Sequence, residues 1–411
     1  MIDDLSKLSR HFLKLKNNNY KRYLIENKDF KNNRLYIIIG QRGVGKTTTL
    51  IQLLLERANG NILNDEILYI QADHFKIGDK TLYEIAEAFS LLGGKYIAID
   101  EIHKYSNWSK ELKSIYDTFP DLSIFSSGSS ALELSLGSND LSRRAIKYTM
   151  LGMSIREFIE INYKIKLRSC TIEEIINDHE KISHNIIEEL LKKDLKIIPL
   201  FLKYLKVGYY PYFQELNCDE NLYKITLEQN VHTTIESDLA SIFPKLTGNS
   251  LKKIKQLLIY ISESVPFTPH WQKILKILEV GDDRTLKVYF KHLEEAKLIQ
   301  KIQSASNKLN KIEKEEKIYL DNTNLLYAIS TNANIDTIRE TFFINMLLKD
   351  NKVHLFEDGD FLINSKYIFE IGGKNKNFKQ LKKEKNSFVV SDNIEIGIKR
   401  KIPLWLFGFL Y

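Results

Sequence analysis

The feature that most constrains this chain is Gly40-Gln41-Arg42-Gly43-Val44-Gly45-Lys46-Thr47. It lies between the apolar run Leu35-Tyr36-Ile37-Ile38-Ile39 and a helical pattern from Lys46 to Arg57. The octapeptide fits G-x-x-x-x-G-K-[ST] at every specified position, and its context, after a strand and opening a helix, is the one the motif requires. The chemistry accounts for the residue types. Glycines let backbone N–H groups turn inward around phosphates, and the helix N-terminus adds a positive dipole end. Lys46 is expected to reach the β- and γ-phosphates of ATP. The Thr47 hydroxyl is expected to ligate Mg²⁺, with Gly40 to Thr48 forming the cradle.

A second apolar run, Tyr96-Ile97-Ala98-Ile99, ends in Asp100-Glu101. Asp100 at a strand tip is suited to hold Mg²⁺ through water. Glu101 is placed to polarise the attacking water as a general base, which points to hydrolysis rather than binding alone. Further apolar runs at Ile67 to Ile70 and Leu122 to Phe125 alternate with helical patterns at Leu82 to Leu92 and Asn107 to Phe119. Such alternation implies a parallel α/β sheet. The run from Leu122 leads into Ser126-Ser127-Gly128-Ser129-Ser130. Ser127, or failing that Ser129, is the candidate to lie between the two acids and contact the γ-phosphate. Arg143 or Arg144 is the candidate arginine finger, acting in cis or from a neighbouring subunit of a homo-oligomer.

Together these residues resemble a family. Asp100-Glu101-Ile102-His103-Lys104-Tyr105-Ser106-Asn107-Trp108, the Ser-Gly-Ser loop and Asp140-Leu141-Ser142-Arg143-Arg144 are similar to prokaryotic AAA+ ATPases with a C-terminal domain of uncharacterised function. The resemblance continues through Leu151-Gly152-Met153-Ser154-Ile155-Arg156-Glu157-Phe158 and Tyr204-Leu205-Lys206-Val207-Gly208-Tyr209-Tyr210-Pro211. It implies a P-loop AAA+ core over 1–160, a helical lid over 161–248, a winged helix over 249–335 and a small α/β restriction-endonuclease-like domain over 336–411. Ser127 stands where the family usually has Thr.

The segment 249–335 carries helix-turn-helix spacing. Trp271 to Leu278 is one amphipathic helix, Val280-Gly281-Asp282 the turn, and Asp283 to Ala296 the next helix. Leu286, Tyr289, Phe290 and Leu293 form its apolar face, and Arg284, Lys287 and Lys291 lie on another. Lys297 to Ile302 and Ile318 to Leu320 are suited to pair as wing strands. Such a module either reads a DNA groove with its basic residues or packs against protein.

Near the C-terminus a helix, Ile338 to Leu348, carries Glu340, and short strands are expected around His354, Phe361, Ile368, Phe388 and Leu404. Asp360 and Glu370 with Lys374 are the groups a metal-dependent phosphodiesterase needs: carboxylates for a second Mg²⁺ site, a lysine for the nucleophile or the developing charge. Gln380 extends the nuclease-like pattern. Active nucleases of this type place acid and lysine two apart, whereas here Gly372-Gly373 intervenes and Lys374 is four residues on. The glycines either bulge the strand and return the lysine to the site or mark a dead one.

Composition narrows the remaining classes. With 43% hydrophobic and 27% charged residues, the chain is ordinary for a globular protein and unlike a disordered one. Two cysteines, Cys170 and Cys218, cannot staple a secreted scaffold, and no run approaches the length of a membrane span. A cytoplasmic protein without a membrane segment is expected. The formal charge of +7 is concentrated: residues 1–34, which include a basic helical leader at 5–30, carry nine Lys and Arg against four acids, and 365–385 carry seven against two. A polyanion, DNA above all, is one expected partner. A protein bound by a nucleotide-dependent switch is the alternative.

Overall fold

The structure, a computed structural model, describes residues 2–131, 141–305, 316–331, 333–378 and 386–411. It divides into two compact units. The first comprises residues 1–151, 232–251 and 295–297, and the second 152–231, 252–294 and 298–411.

The first unit opens with α1 (Ile2–Leu15) and α2 (Tyr23–Asn27). The basic leader is helical, in two segments, and it packs on the unit. Leu5, Leu13, Tyr23 and Leu24 are buried, Arg10 pairs with Asp65 at 2.6 Å, and Lys21 pairs with Glu56 at 3.1 Å. Next come β1 (Leu35–Gly40), α3 (Lys46–Arg57), β2 (Ile67–Gln71), α4 (Leu82–Leu91), β3 (Tyr96–Asp100), α5 (Trp108–Thr118), β4 (Ser123–Ser129) and β5 (Ala145–Met150). The strands form one parallel sheet in the order β2-β3-β4-β1-β5. The fifth strand has no counterpart in the apolar runs. As an edge strand reading Ala-Ile-Lys-Tyr-Thr-Met it is only partly buried, so it lacks the continuous apolar signal of an inner parallel strand.

Strand alternation divides the core. Leu35, Ile37, Ile39, Leu68, Ile70, Ile97 and Ile99 pack with Leu5, Ile85, Leu112 and Ile115 of α1, α4 and α5. Tyr36 points the other way, stacked on Phe125 at 5.8 Å, and Arg57 of α3 lies 6.0 Å over the same Phe125 ring. With both faces covered, the C-terminal strand ends are left to build a site.

The chain goes on through α6 (Ile155–Tyr163), α7 (Ile172–Leu191), α8 (Ile197–Val207) and α9 (Glu220–Thr233). A single π-helical turn, Thr234–Asp238, leads into α10 (Leu239–Ile242). Then follow α11 (Gly248–Ser264), α12 (Trp271–Leu278), α13 (Asp283–Glu295) and the antiparallel pair β6 (Ile299–Gln303) and β7 (Glu316–Leu320). Asp282 starts α13 by accepting the Thr285 N–H at 2.9 Å. The two motifs beginning at Leu151 and Tyr204 bond to one another: Met153 N–H donates to the Tyr209 carbonyl at 2.7 Å, and the Tyr204 hydroxyl to the Met153 carbonyl at 2.7 Å. A Cβ on Gly152 would stand 2.3 Å from the Tyr209 ring, so only glycine fits there.

The second unit ends with α14 (Thr323–Ile329), α15 (Ile335–Leu347), β8 (Val353–Leu355), β9 (Phe361–Ile363), β10 (Tyr367–Gly372), β11 (Ser387–Ser391) and β12 (Lys401–Pro403). Their sheet runs β12-β11-β10-β9-β8, antiparallel through β8, β9 and β10 and parallel through β10, β11 and β12. The strand expected around Leu404 stops at Pro403, and Leu404–Phe409 is a buried 3₁₀ helix. Proline has no N–H with which to extend the ladder. Among the described residues no helix is long and apolar enough to cross a membrane.

Candidate nucleotide site and a second acidic site

Gly40 closes β1 and Lys46 opens α3, so residues 41–45 must reverse the chain within one tight loop. Gly43 and Gly45 do this at φ of 84° and 101°, a region costly for any side chain. Val44 is buried at the back of the loop, where its carbonyl accepts from Arg22 at 2.5 Å. Arg22, also bonded to the Leu151 carbonyl at 2.9 Å, is a loop support that the motif alone does not reveal. Lys46 donates to the carbonyls of Gly40 at 2.9 Å and Gln41 at 2.8 Å. Burial pulls its pKa down against the upward pull of Glu101 and Asp100. Thr48 is half-buried in the first turn of α3.

Because β4 lies between β1 and β3, the tips of all three strands converge on Asp100, which is 1% exposed. Its Oδ2 accepts from the Thr47 hydroxyl at 2.7 Å and the Tyr69 hydroxyl at 2.7 Å. Its Oδ1 accepts from the Glu101 N–H at 3.1 Å and from the Ser127 hydroxyl. Burial, then Asp100, pushes the Tyr69 phenol far above its ordinary pKa and keeps it a donor. The Ser127 oxygen also accepts the Glu101 N–H at 3.2 Å, so Ser127 meets the Asp100 carboxylate and the Glu101 backbone. Thr47 and Asp100 offer a hydroxyl and a carboxylate oxygen side by side, a donor set that suits a hard divalent cation.

Glu101 is held in the left-handed region, φ 54° and ψ 39°, at a cost of about 1–3 kcal/mol for a non-glycine residue. That turn sends its carboxylate past the strand tip, where Arg42 lies at 3.8 Å, Lys104 at 3.6 Å and His103 at 3.8 Å. Ser129 faces this group through its backbone, donating its N–H to His103 Nδ1 at 3.2 Å.

Arg143 and Arg144 are not brought to this site within the chain. They precede β5, whose first residue Ala145 is in register with Leu35 and whose last, Met150, is in register with Gly40. That leaves them a strand length, roughly 17 Å, from the loop. Arg144 is bound in bidentate fashion to Asp117 at 2.7 and 2.9 Å, and Arg143 is exposed.

The second unit gathers Glu340, Asp360 and Glu370. Asp360 Oδ2 accepts the Ile371 N–H at 2.6 Å, and burial, with neighbouring Glu370 and Glu340, pushes its pKa up to about 6 despite that bond. Glu340 is likewise raised, mainly by burial, while the Tyr319 hydroxyl donates to it at 2.7 Å. The lysine at Glu370 is Lys376, not Lys374. The Lys374 carbonyl accepts from the Lys401 ammonium at 2.6 Å. Gly372 explains the exchange: a Cβ there would stand 2.8 Å from the Lys376 side chain, which folds back across the bare backbone. Gln380 lies outside the described residues. In the same unit Arg284, Lys287 and Lys291 are on the exposed side of α13, opposite Leu286, Tyr289, Phe290 and Leu293, and Lys287 lies 5.4 Å over the Trp271 ring.

Residues 32–159 match the family model described as an AAA domain, and residues 198–336 match a domain of unknown function, DUF8612. The chain is similar to an uncharacterised protein of Methanocaldococcus jannaschii, 26% identical over 402 residues that cover 90% of this chain and 81% of that one. A second uncharacterised protein of that organism is 24% identical, covering 86% and 76%. Among solved structures, the ORC1 protein of Aeropyrum pernix in complex with DNA superposes with a TM-score of 0.32 at 13% identity, covering 82% of this chain and 92% of that one. AMPPCP-bound DnaA of Aquifex aeolicus gives 0.28 at 18% identity, covering 71% and 88%. Superpositions this loose say nothing of what the chain binds. The family match, the strand order and the loop geometry make residues 32–159 a P-loop AAA domain.

Proposed function

We propose that the chain binds ATP at the Gly40–Thr48 loop and hydrolyses it to drive a conformational change at DNA. The observation that carries the reading is the meeting of Thr47, Ser127 and the Glu101 N–H on Asp100. Thr47 and Asp100 would hold Mg²⁺, which when bound supplies positive charge to the β- and γ-phosphate oxygens. Lys46, held by the Gly40 and Gln41 carbonyls, turns its charge to the phosphates and orients them. Glu101 accepts the proton of the attacking water. Ser127 fixes the spacing of the two acids, and an arginine from a second copy, Arg143 or Arg144, is the candidate finger. The test is steady-state ATP turnover. Glu101→Gln is expected to keep nucleotide affinity and lose about 10²–10⁴-fold in kcat, and Lys46→Ala to lose affinity. Normal turnover by Glu101→Gln would remove the assigned role.

The DNA part of the reading is supported by the exposed basic side of α13 and the antiparallel β6–β7 pair that follows it, the parts of a winged helix. If Arg284, Lys287 and Lys291 meet phosphates, replacing all three by Ala flattens the dependence of log K on log salt by roughly 3. An unchanged slope would favour the alternative reading, a nucleotide-dependent switch that binds protein through this module. A third reading, metal-dependent phosphodiester cleavage, is favoured by one observation, the Glu370–Lys376 pair beside Asp360. Plasmid cleavage with Mg²⁺ or Mn²⁺ that disappears in Asp360→Ala and Glu370→Ala would support it, and cleavage persisting in both would remove it.

A further inference from the structure

Beside the Asp100 cluster lies a second carboxylate that the ATPase motifs do not account for. Asp238 ends the π-helical turn Thr234–Asp238 and is 3% exposed. Its Oδ1 accepts from Arg42 at 2.9 Å and lies 3.6 Å from His103 Nε2. The same two side chains lie 3.8 Å from Glu101 Oε2. Arg42 and His103 thus stand between two acids, and both sit closer to Asp238. Burial works against the charge of Asp238, but His103 and Arg42 outweigh it and keep the carboxyl ionised.

Glu101, His103 and Asp238 are, among the described residues, the group whose possible ligand atoms all lie within 4.8 Å of one another. A metal ion is nevertheless the wrong occupant. His103 Nδ1 accepts the Ser129 N–H at 3.2 Å and therefore carries no proton of its own. The ring proton is on Nε2, which leaves no lone pair there for a metal. Nε2–H is a buried donor without a hydrogen bond, aimed between two carboxylates. Small movements decide which acid receives it.

We propose that Asp238 is a positioning residue for hydrolysis: by holding Arg42 and drawing the His103 N–H, it keeps both off Glu101 and leaves that carboxylate free to take the proton of the attacking water. The proposal rests on Glu101 being the general base. Asp238 touches neither Lys46, Thr47 nor Asp100 through any bond described above, so it acts through Arg42 and His103. Without it, Glu101 at 3.8 Å is the carboxylate left within ion-pair distance of the guanidinium among the described residues. A carboxylate whose oxygens are taken up by a guanidinium and an imidazole N–H has no open acceptor to turn towards the attacking water.

The test is steady-state turnover of Mg²⁺-ATP by the full chain, with nucleotide affinity measured separately by direct titration. Asp238→Asn is expected to lower kcat about 10–100-fold while KM and nucleotide affinity stay within about threefold, and Asp238→Glu to keep most of the rate. Adding Arg42→Gln to Asp238→Asn removes the competing cation, and the double variant is expected to turn over about tenfold faster than Asp238→Asn alone. Wild-type kcat in Asp238→Asn, a double variant no faster than the single, or a loss of affinity matching the loss of rate would each overturn the proposal. Glu101→Gln separates the two readings. If it turns over normally, the general-base assignment fails. If it is inactive while Asp238→Asn is normal, only the role of Asp238 fails.

Discussion

At the scale of single residues, Asp100 shows how a site completes itself beyond its motif. Thr47 and Ser127 could be named from spacing, but Tyr69, in the middle of β2, carries no local sign that its hydroxyl turns to the tip of β3. Lys376 is a similar case. Lys374 is the first lysine after Glu370, yet the path of the chain after Gly372 returns the later one to the acid. Asp360 gives a prediction at this scale. Its pKa is raised in the folded protein from 3.8 to about 6, so the fold favours the protonated form. The stabilisation is fully present below the unfolded pKa and is lost as pH rises through the folded one. At pH 8, the cost of the ionised carboxyl is at most about 3 kcal/mol. Asp360→Asn keeps an acceptor for the Ile371 N–H and removes the charge. In EDTA it is expected to be more stable than the parent at pH 8, with the gain shrinking towards pH 4, as read from denaturant midpoints. A gain independent of pH would contradict the assignment.

At the scale of elements, the inner strands and α3 follow directly from the sequence, because a strand buried on both faces is written as an unbroken apolar run. The edge strand β5 is not, and neither is the 3₁₀ end after Pro403, whose apolar composition suits a buried strand equally well. What joins elements of the second unit is also hidden from periodicity. Asn324, 1% exposed on α14, accepts from the Tyr209 N–H at 2.9 Å and the Tyr223 hydroxyl at 2.5 Å. It donates to the carbonyls of Tyr204 at 3.1 Å and Leu205 at 2.9 Å. Every polar atom of the amide is used, and α8, α9 and α14 depend on it. Asn324→Ala strands several buried partners at about 1–3 kcal/mol each, partly relieved by relaxation. A loss of roughly 3 kcal/mol in chemical denaturation is expected. A change below about 0.5 kcal/mol, ordinary for a surface site, would show that the network carries little.

At the scale of the whole molecule, the nucleotide site draws on residues far apart in sequence but within one unit: Arg22, Gly40–Thr48, Tyr69, Asp100–His103, Ser127 and Asp238. Arg143 and Arg144 belong to the same unit but to the opposite end of the strands, with Arg144 tied to Asp117. A finger role therefore requires another copy of the chain. Specific ATPase activity is then expected to rise with protein concentration and to fall in Arg143→Ala without loss of nucleotide affinity. Activity independent of concentration over a hundredfold range would exclude that role. The parallel α/β core, the phosphate loop and the two acids are legible in the chain because each is local: an apolar run with the glycine turn and helix start, or the acids, that directly follow it within about 20 residues. The groups that surround them come from folding. Tyr69 on Asp100, Asp238 between Arg42 and His103, and Lys376 on Glu370 are polar contacts across the fold, and such contacts have no period for a sequence to display.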